Sequence, residues 1–151
     1  MLNLCLEEHQ LSDSVEQARA SFERWNTAFN ARDRDAMVAE MHFPHRRLSG
    51  QNQFQVWETA DDFWASSGDN LTVGLKAEGW DHTATTSIEA AQSGEDKVHL
   101  AIHQSRRHAD GTEYNGFLTL WIFTKIDGRW GVQFRSSFLS GAAQTRGHAL
   151  G

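Results

Sequence analysis

The sequence has one cysteine, one proline and one tyrosine among 151 residues. The lone Cys5 excludes a disulfide framework and a four-cysteine metal site. With Pro44 as the single proline, no proline-rich linker divides the chain. No apolar run approaches the roughly 18 residues of a membrane-spanning helix, so no membrane partner is expected. The opening MLNLCL is short and lacks basic residues, so no signal peptide is expected and the expected location is cytoplasmic. Positive charge is also scarce: 14 Lys and Arg against 20 Asp and Glu give a net charge of −6. Nucleic-acid binders draw their affinity from a basic surface, so no nucleic-acid partner is expected. The basic residues that do occur are local. His42, His45, Arg46 and Arg47 form one cluster, and His103, Arg106, Arg107 and His108 another.

What is present is aromatic. Six Trp and nine Phe predict a large aromatic core or an aromatic-lined cavity. Val15, Ala18, Phe22, Trp25 and Phe29 recur at helical spacing, one apolar stripe of an amphipathic helix. Asp13 and Glu16 form a capping-box variant that starts this helix near Ser14. Helices are expected over residues 13–31, 34–42 and 59–66. Asp33 or Asp35 caps the second, Pro44 stops it, and Thr59 caps the third. Residues 45–49 and 54–57 pair as a short hairpin across a turn at Gly50.

The period then changes to two. Strands are expected near residues 83–92, 97–108, 116–126 and 129–139, with Asp127-Gly128 as a hairpin turn. Helices first and strands later predict an α+β fold with an antiparallel sheet. The strand from Gly116 is apolar on both faces, so it needs two covers. The helices supply one and a second copy of the chain the other. The expected assembly is therefore a homodimer through the sheet face, with Phe117, Trp121 or Phe123 near the contact. Residues 13–139 are read as a single domain, 1–12 as a flexible N-terminus and 140–151 as a mobile tail.

Two segments carry a family resemblance. One is the helix–turn–helix from Trp25 to Met41, where Asn30, Asp33 and Ala36 form an N-x-x-D-x-x-A stretch. The other is Asp127-Gly128-Arg129-Trp130 before the last strand. Together with Phe43 to Gly50, they resemble the nuclear transport factor 2-like superfamily of ketosteroid isomerases, SnoaL-like polyketide cyclases and scytalone dehydratases. The resemblance implies a cone: a curved antiparallel sheet wrapped around N-terminal helices, with the pocket inside. It implies a small-molecule-binding protein, in the SnoaL-like case an isomerase, cyclase or dehydratase working without a cofactor on a small anionic or enolisable ligand. Ungapped counting places Ser49, Trp25 and Leu120 where ketosteroid isomerases carry base and oxyanion donors, so those roles do not transfer. This departure motivates the alternative, a non-catalytic ligand-binding or dimerisation module.

If that register turns Ser49 inward, alternation brings His45 and Arg47 with it. The same counting turns His99 and His103 inward. His45 and His103 are then the candidate catalytic groups, able to relay protons near neutral pH. Trp25, Arg47, Ser49, Trp57, Phe63 and His99 are the candidate ligand contacts, with Arg47 able to fork onto a carboxylate. The partner expected is a small hydrophobic or anionic molecule. His42-x-x-His45 is not expected to hold a metal, because Pro44 breaks the helical geometry and no third ligand follows.

Overall fold

The computed structural model describes residues 2–139, with side chains from Asp13 onward. Helix α1 (Leu2–Ala31) begins well before the expected start near Ser14. Asp13 therefore lies inside the helix, where it accepts from the Gln17 side chain one turn on, rather than capping it. The predicted stripe is the buried face: Ala18, Phe22, Trp25 and Phe29 enter the core. Helix α2 (Arg34–Ala39) is capped by Asp33, whose side chain accepts from the Ala36 N–H at 3.1 Å. It ends before the expected residue 42, because Met41 already belongs to strand β1 (Met41–Leu48). A short turn leads to β2 (Phe54–Trp57), then to α3 (Ala60–Asp69), capped by Thr59. This helix does not stop near residue 66. It runs on through a π-helical segment (Asn70–Gly74) into α4 (Leu75–Ala77), burying Leu71 and Leu75.

Four long strands follow: β3 (His82–Ser93), β4 (Lys97–Arg107), β5 (Glu113–Ile126) and β6 (Arg129–Ser137). Asp127 and Gly128 both take positive φ, the conformation a tight right-twisted hairpin demands. The six strands form one curved, unclosed sheet in the order β2-β1-β6-β5-β4-β3. Every neighbouring pair is antiparallel except β1 and β6, which run parallel, so the expected antiparallel sheet is a mixed one. A β-bulge interrupts β6. Val132 pairs with Phe123 and Phe134 with Ile122, leaving Gln133 as the extra residue.

Helix α1 lies in the concavity of the sheet. Trp121 sits at its centre, edge-on to Phe22 and Trp25 at 5.1 and 4.7 Å. Full burial of each such side chain stabilises the fold by about 1.5–3 kcal/mol. Trp121 and Phe123 face this core, and Phe117 is buried on the same side of the strand, clustered with Leu139. Their expected place at an outer dimer contact is therefore corrected. Strand alternation gives the outer face to Leu118, Leu120 and Ile122 instead, because the helix claims the aromatic side. No helix among the described residues is long and apolar enough to cross a membrane.

Candidate functional site

Beyond the aromatic centre, the concave face of the sheet becomes polar. On β1 the alternation buries His45, Arg47 and Ser49 and exposes Arg46. On β6 the bulge at Gln133 changes the facing of everything after it. Val132 and Arg135 both point inward, while Phe134 is half-buried on the other side. Arg47 and Arg135 are register partners on the parallel β1–β6 pair. Arg106 arrives from β4 and Gln104 beside it. Three guanidiniums thus occupy the interior, each at most 1% exposed.

Their surroundings differ. Arg135 lies over the rings of Trp25 and Trp121, 5.7 and 5.4 Å from the centroids. Its Nε donates to His45 Nε2 at 3.0 Å. A guanidinium cannot accept, so the His45 proton sits on Nδ1 and is donated to the Val132 carbonyl at 3.1 Å. Both ring nitrogens of His45 are engaged. Burial, then the neighbouring Arg135, pushes its pKa well below the ordinary histidine value. His45 is a neutral support for Arg135, and it packs against Trp57 and Phe63. Arg106 lies over Phe117 and faces Glu78 at 3.6 Å. Tyr114 also donates to Glu78, at 3.0 Å.

Arg47 has the fewest partners. Its Nη1 donates to Gln55 Oε1 at 3.4 Å, and its buried Nε and Nη2 have no partner. Burial first, and then the charges of Arg135 and Arg106, push its pKa down to about 8. Burial alone lowers Arg135 to about 9. The indole N–H of Trp25 is likewise buried without a partner. Trp25 lines, with Asn26, Phe29, Gln104, Arg106 and Trp121, a cavity of about 10 Å³, space for about one water. Ser49 turns its hydroxyl to the Gln53 carbonyl at 3.2 Å and shapes the turn after β1.

His99 and His103 are not part of this set. On β4, Val98, Leu100 and Ile102 take the core side, because burying three aliphatic side chains outweighs burying two imidazoles. The histidines therefore lie on the outer face. His99 meets Gln92, and His103 meets the Thr86 hydroxyl. The inward placement expected for both is corrected. His42 is locked in another way: Nδ1 accepts from Arg129 Nη2 at 3.0 Å and Nε2 donates to the Arg129 carbonyl at 2.9 Å. Among the described residues, no three His, Cys, Asp or Glu side chains converge as a metal site would require.

Sequence reasoning missed Arg106, Arg135, Gln104 and Glu78. Arg106 stood in a visible basic cluster, and strict alternation from Ile102 would have turned it inward. Arg135 gave no such signal, since regular alternation from Val132 turns it outward.

A family model described as "NTF2-like protein (DUF6841)" matches residues 14–134. The chain belongs to this NTF2-like family. Its fold agrees with solved NTF2-like structures. An NTF2-like protein with a cystatin-like fold from Novosphingobium aromaticivorans superposes with a TM-score of 0.71 at 16% identity, covering 100% of this chain and 97% of that one. An NTF2-like protein of unknown function from Pseudomonas putida gives 0.67 at 14% identity, over 89% and 92% of the two chains. A putative calcium/calmodulin dependent protein kinase II association domain from Xanthomonas campestris gives 0.59 at 13%, over 81% and 84%. No curated protein matches the chain. At these identities the neighbours of this NTF2-like chain speak for the fold alone.

Proposed function

We propose that this NTF2-like chain is a small-molecule-binding protein whose interior takes an anionic ligand. The observation that carries the reading is Arg47, wholly buried with Nε and Nη2 unpartnered. A buried cation without a counter-charge is costly, and an oxyanion would satisfy its free N–H groups. The unpartnered indole N–H of Trp25 adds a further donor. The reading is binding rather than turnover. An isomerase, cyclase or dehydratase needs a group free to move a proton, and both nitrogens of His45 are occupied while His103 lies on the outer face. The cavity beside Trp25 admits about one water and is not lined by Arg47, so a ligand that meets Arg47 enters by parting the side chains.

The test is calorimetric titration of the full chain with benzoate and with inorganic phosphate. Binding by the native chain, weakened by roughly 1.5–3 kcal/mol in Arg47→Ala, supports the reading. Failure of both anions to bind the native chain overturns it.

The outer sheet face supports the second part of the proposal, a homodimer. Leu118 is 59% exposed, and Phe54, Val56 and Phe138 are also exposed. These apolar groups are the kind of surface a second copy would cover. Sedimentation showing a monomer at micromolar concentration would remove this part.

A further inference from the structure

Arg47 is wholly buried, and the partners it lacks all lie along one edge of its guanidinium. Its Nη1 donates to Gln55 Oε1 at 3.4 Å, and the unpartnered atoms are Nε and Nη2. Those two belong together. Nη1 lies on the Cδ side of the planar group, so the Nε–H and one Nη2–H point the same way, side by side. This is the edge that takes both oxygens of a carboxylate at once. The other two interior arginines are engaged: Arg106 faces Glu78 at 3.6 Å, and the Nε of Arg135 donates to His45. The side chain that meets Arg47 at its other end is Gln55, half-buried on β2, an edge strand of the sheet. Gln55 is neutral. A glutamate at this place would satisfy the guanidinium from within the fold, whereas the amide holds its Nη1 end and adds no charge.

We propose that the head of the ligand is a single carboxylate, taken side-on by Nε and Nη2 of Arg47, with Gln55 as the positioning residue that keeps this fork turned and open. The proposal rests on the anion-binding reading above and names its ligand class. One guanidinium matches one negative charge. Two parallel N–H groups match two coplanar oxygens. A tetrahedral sulfonate or phosphate brings a third oxygen that the fork leaves without a donor, and in a water-poor interior that oxygen is costly.

Benzoate and benzenesulfonate test this directly, since they share a ring and carry one charge each at neutral pH. Titrated calorimetrically into the full chain, benzoate is expected to bind about tenfold tighter or more. Equal affinity, or a preference for the sulfonate, overturns the carboxylate assignment and leaves the anion reading standing. If neither binds, the proposal falls, and the anion reading then stands or falls on inorganic phosphate. Arg47→Lys keeps the charge but not the fork, so it should bring the two ligands to a similar, weaker affinity. A preference that survives in this variant, folded, overturns the assignment to Arg47. Gln55→Glu puts a competing carboxylate on the guanidinium and should weaken benzoate about tenfold or more. Gln55→Met removes the acceptor and keeps the length, and should narrow the preference with both ligands still bound. Native affinity and preference in either variant overturn the role of Gln55.

Discussion

Strands β4, β5 and β6 each cross two environments without leaving the concave face of the sheet. In one half, Val98, Leu100, Ile102, Trp121, Phe123 and Val132 meet the apolar stripe of α1. In the other, the same strands present Gln104 and Arg106, Thr119, and Arg135 and Ser137, and β1 adds Arg47. Both halves are equally buried. The first is what hydrophobic burial builds for its own sake. The second withholds that gain and accumulates like charge, which costs stability. The contrast separates the half whose burial holds the chain together from the half whose burial costs stability.

Substitutions at matched depth sharpen this contrast. The largest loss is expected from Arg106→Met, which leaves the Glu78 carboxylate buried without its cation: about 3–5 kcal/mol by denaturant unfolding. Phe123→Ala, in the apolar half, should cost a similar 3–5 kcal/mol through the cavity it opens. Arg47→Met goes the other way. Removing a buried, under-partnered charge should raise stability by about 1–3 kcal/mol while weakening anion binding by roughly 1.5–3 kcal/mol. Destabilisation there would break the distinction between the halves.

A smaller effect is expected from pH. The folded pKa of His45 lies well below the ordinary value near 6.5, so below pH 6.5 the unfolded chain binds a proton that the folded chain refuses. Stability should fall by about 1.4 kcal/mol per unit as pH drops from 6.5 toward the folded pKa. His42 is shifted in the same direction by burial, so the difference between the native chain and His45→Phe isolates the His45 share. The smallest change in folding stability, within about 0.5 kcal/mol, is expected from Leu118→Lys on the exposed outer face. That variant should nonetheless sediment as a monomer.

What could be read from the sequence follows the same division. The α1 stripe, the Asp33 and Thr59 caps and the Asp127-Gly128 turn were legible because each is a local pattern with a local cause. The shared facing of His45 and Arg47 followed from alternation on one short strand, while its inward sense came from the family register. The rest depended on distant events. Arg135 turns inward because Gln133 is extruded opposite β5, and no residue type announces a bulge. The histidines of β4 were assigned by an imported register, when the aliphatic residues between them already marked the core side. The parallel pairing of β1 with β6 leaves no local trace, since it joins residues as far apart as His45 and Val132, 87 positions along the chain.

That long-range pairing also orders events in time. Until β6 exists, β1 has only β2 beside it, and an isolated two-stranded hairpin is marginal in water. Contacts of high sequence separation close late, because a long loop must be ordered before they form. During synthesis, α1 and the first hairpin leave the ribosome long before Arg135 has been added. The nascent chain therefore contains Arg47 without its neighbour, and the two charges are brought together only when the last strand docks. The paired burial of these two guanidiniums is then a property of the finished molecule alone, built by the one parallel contact in the sheet.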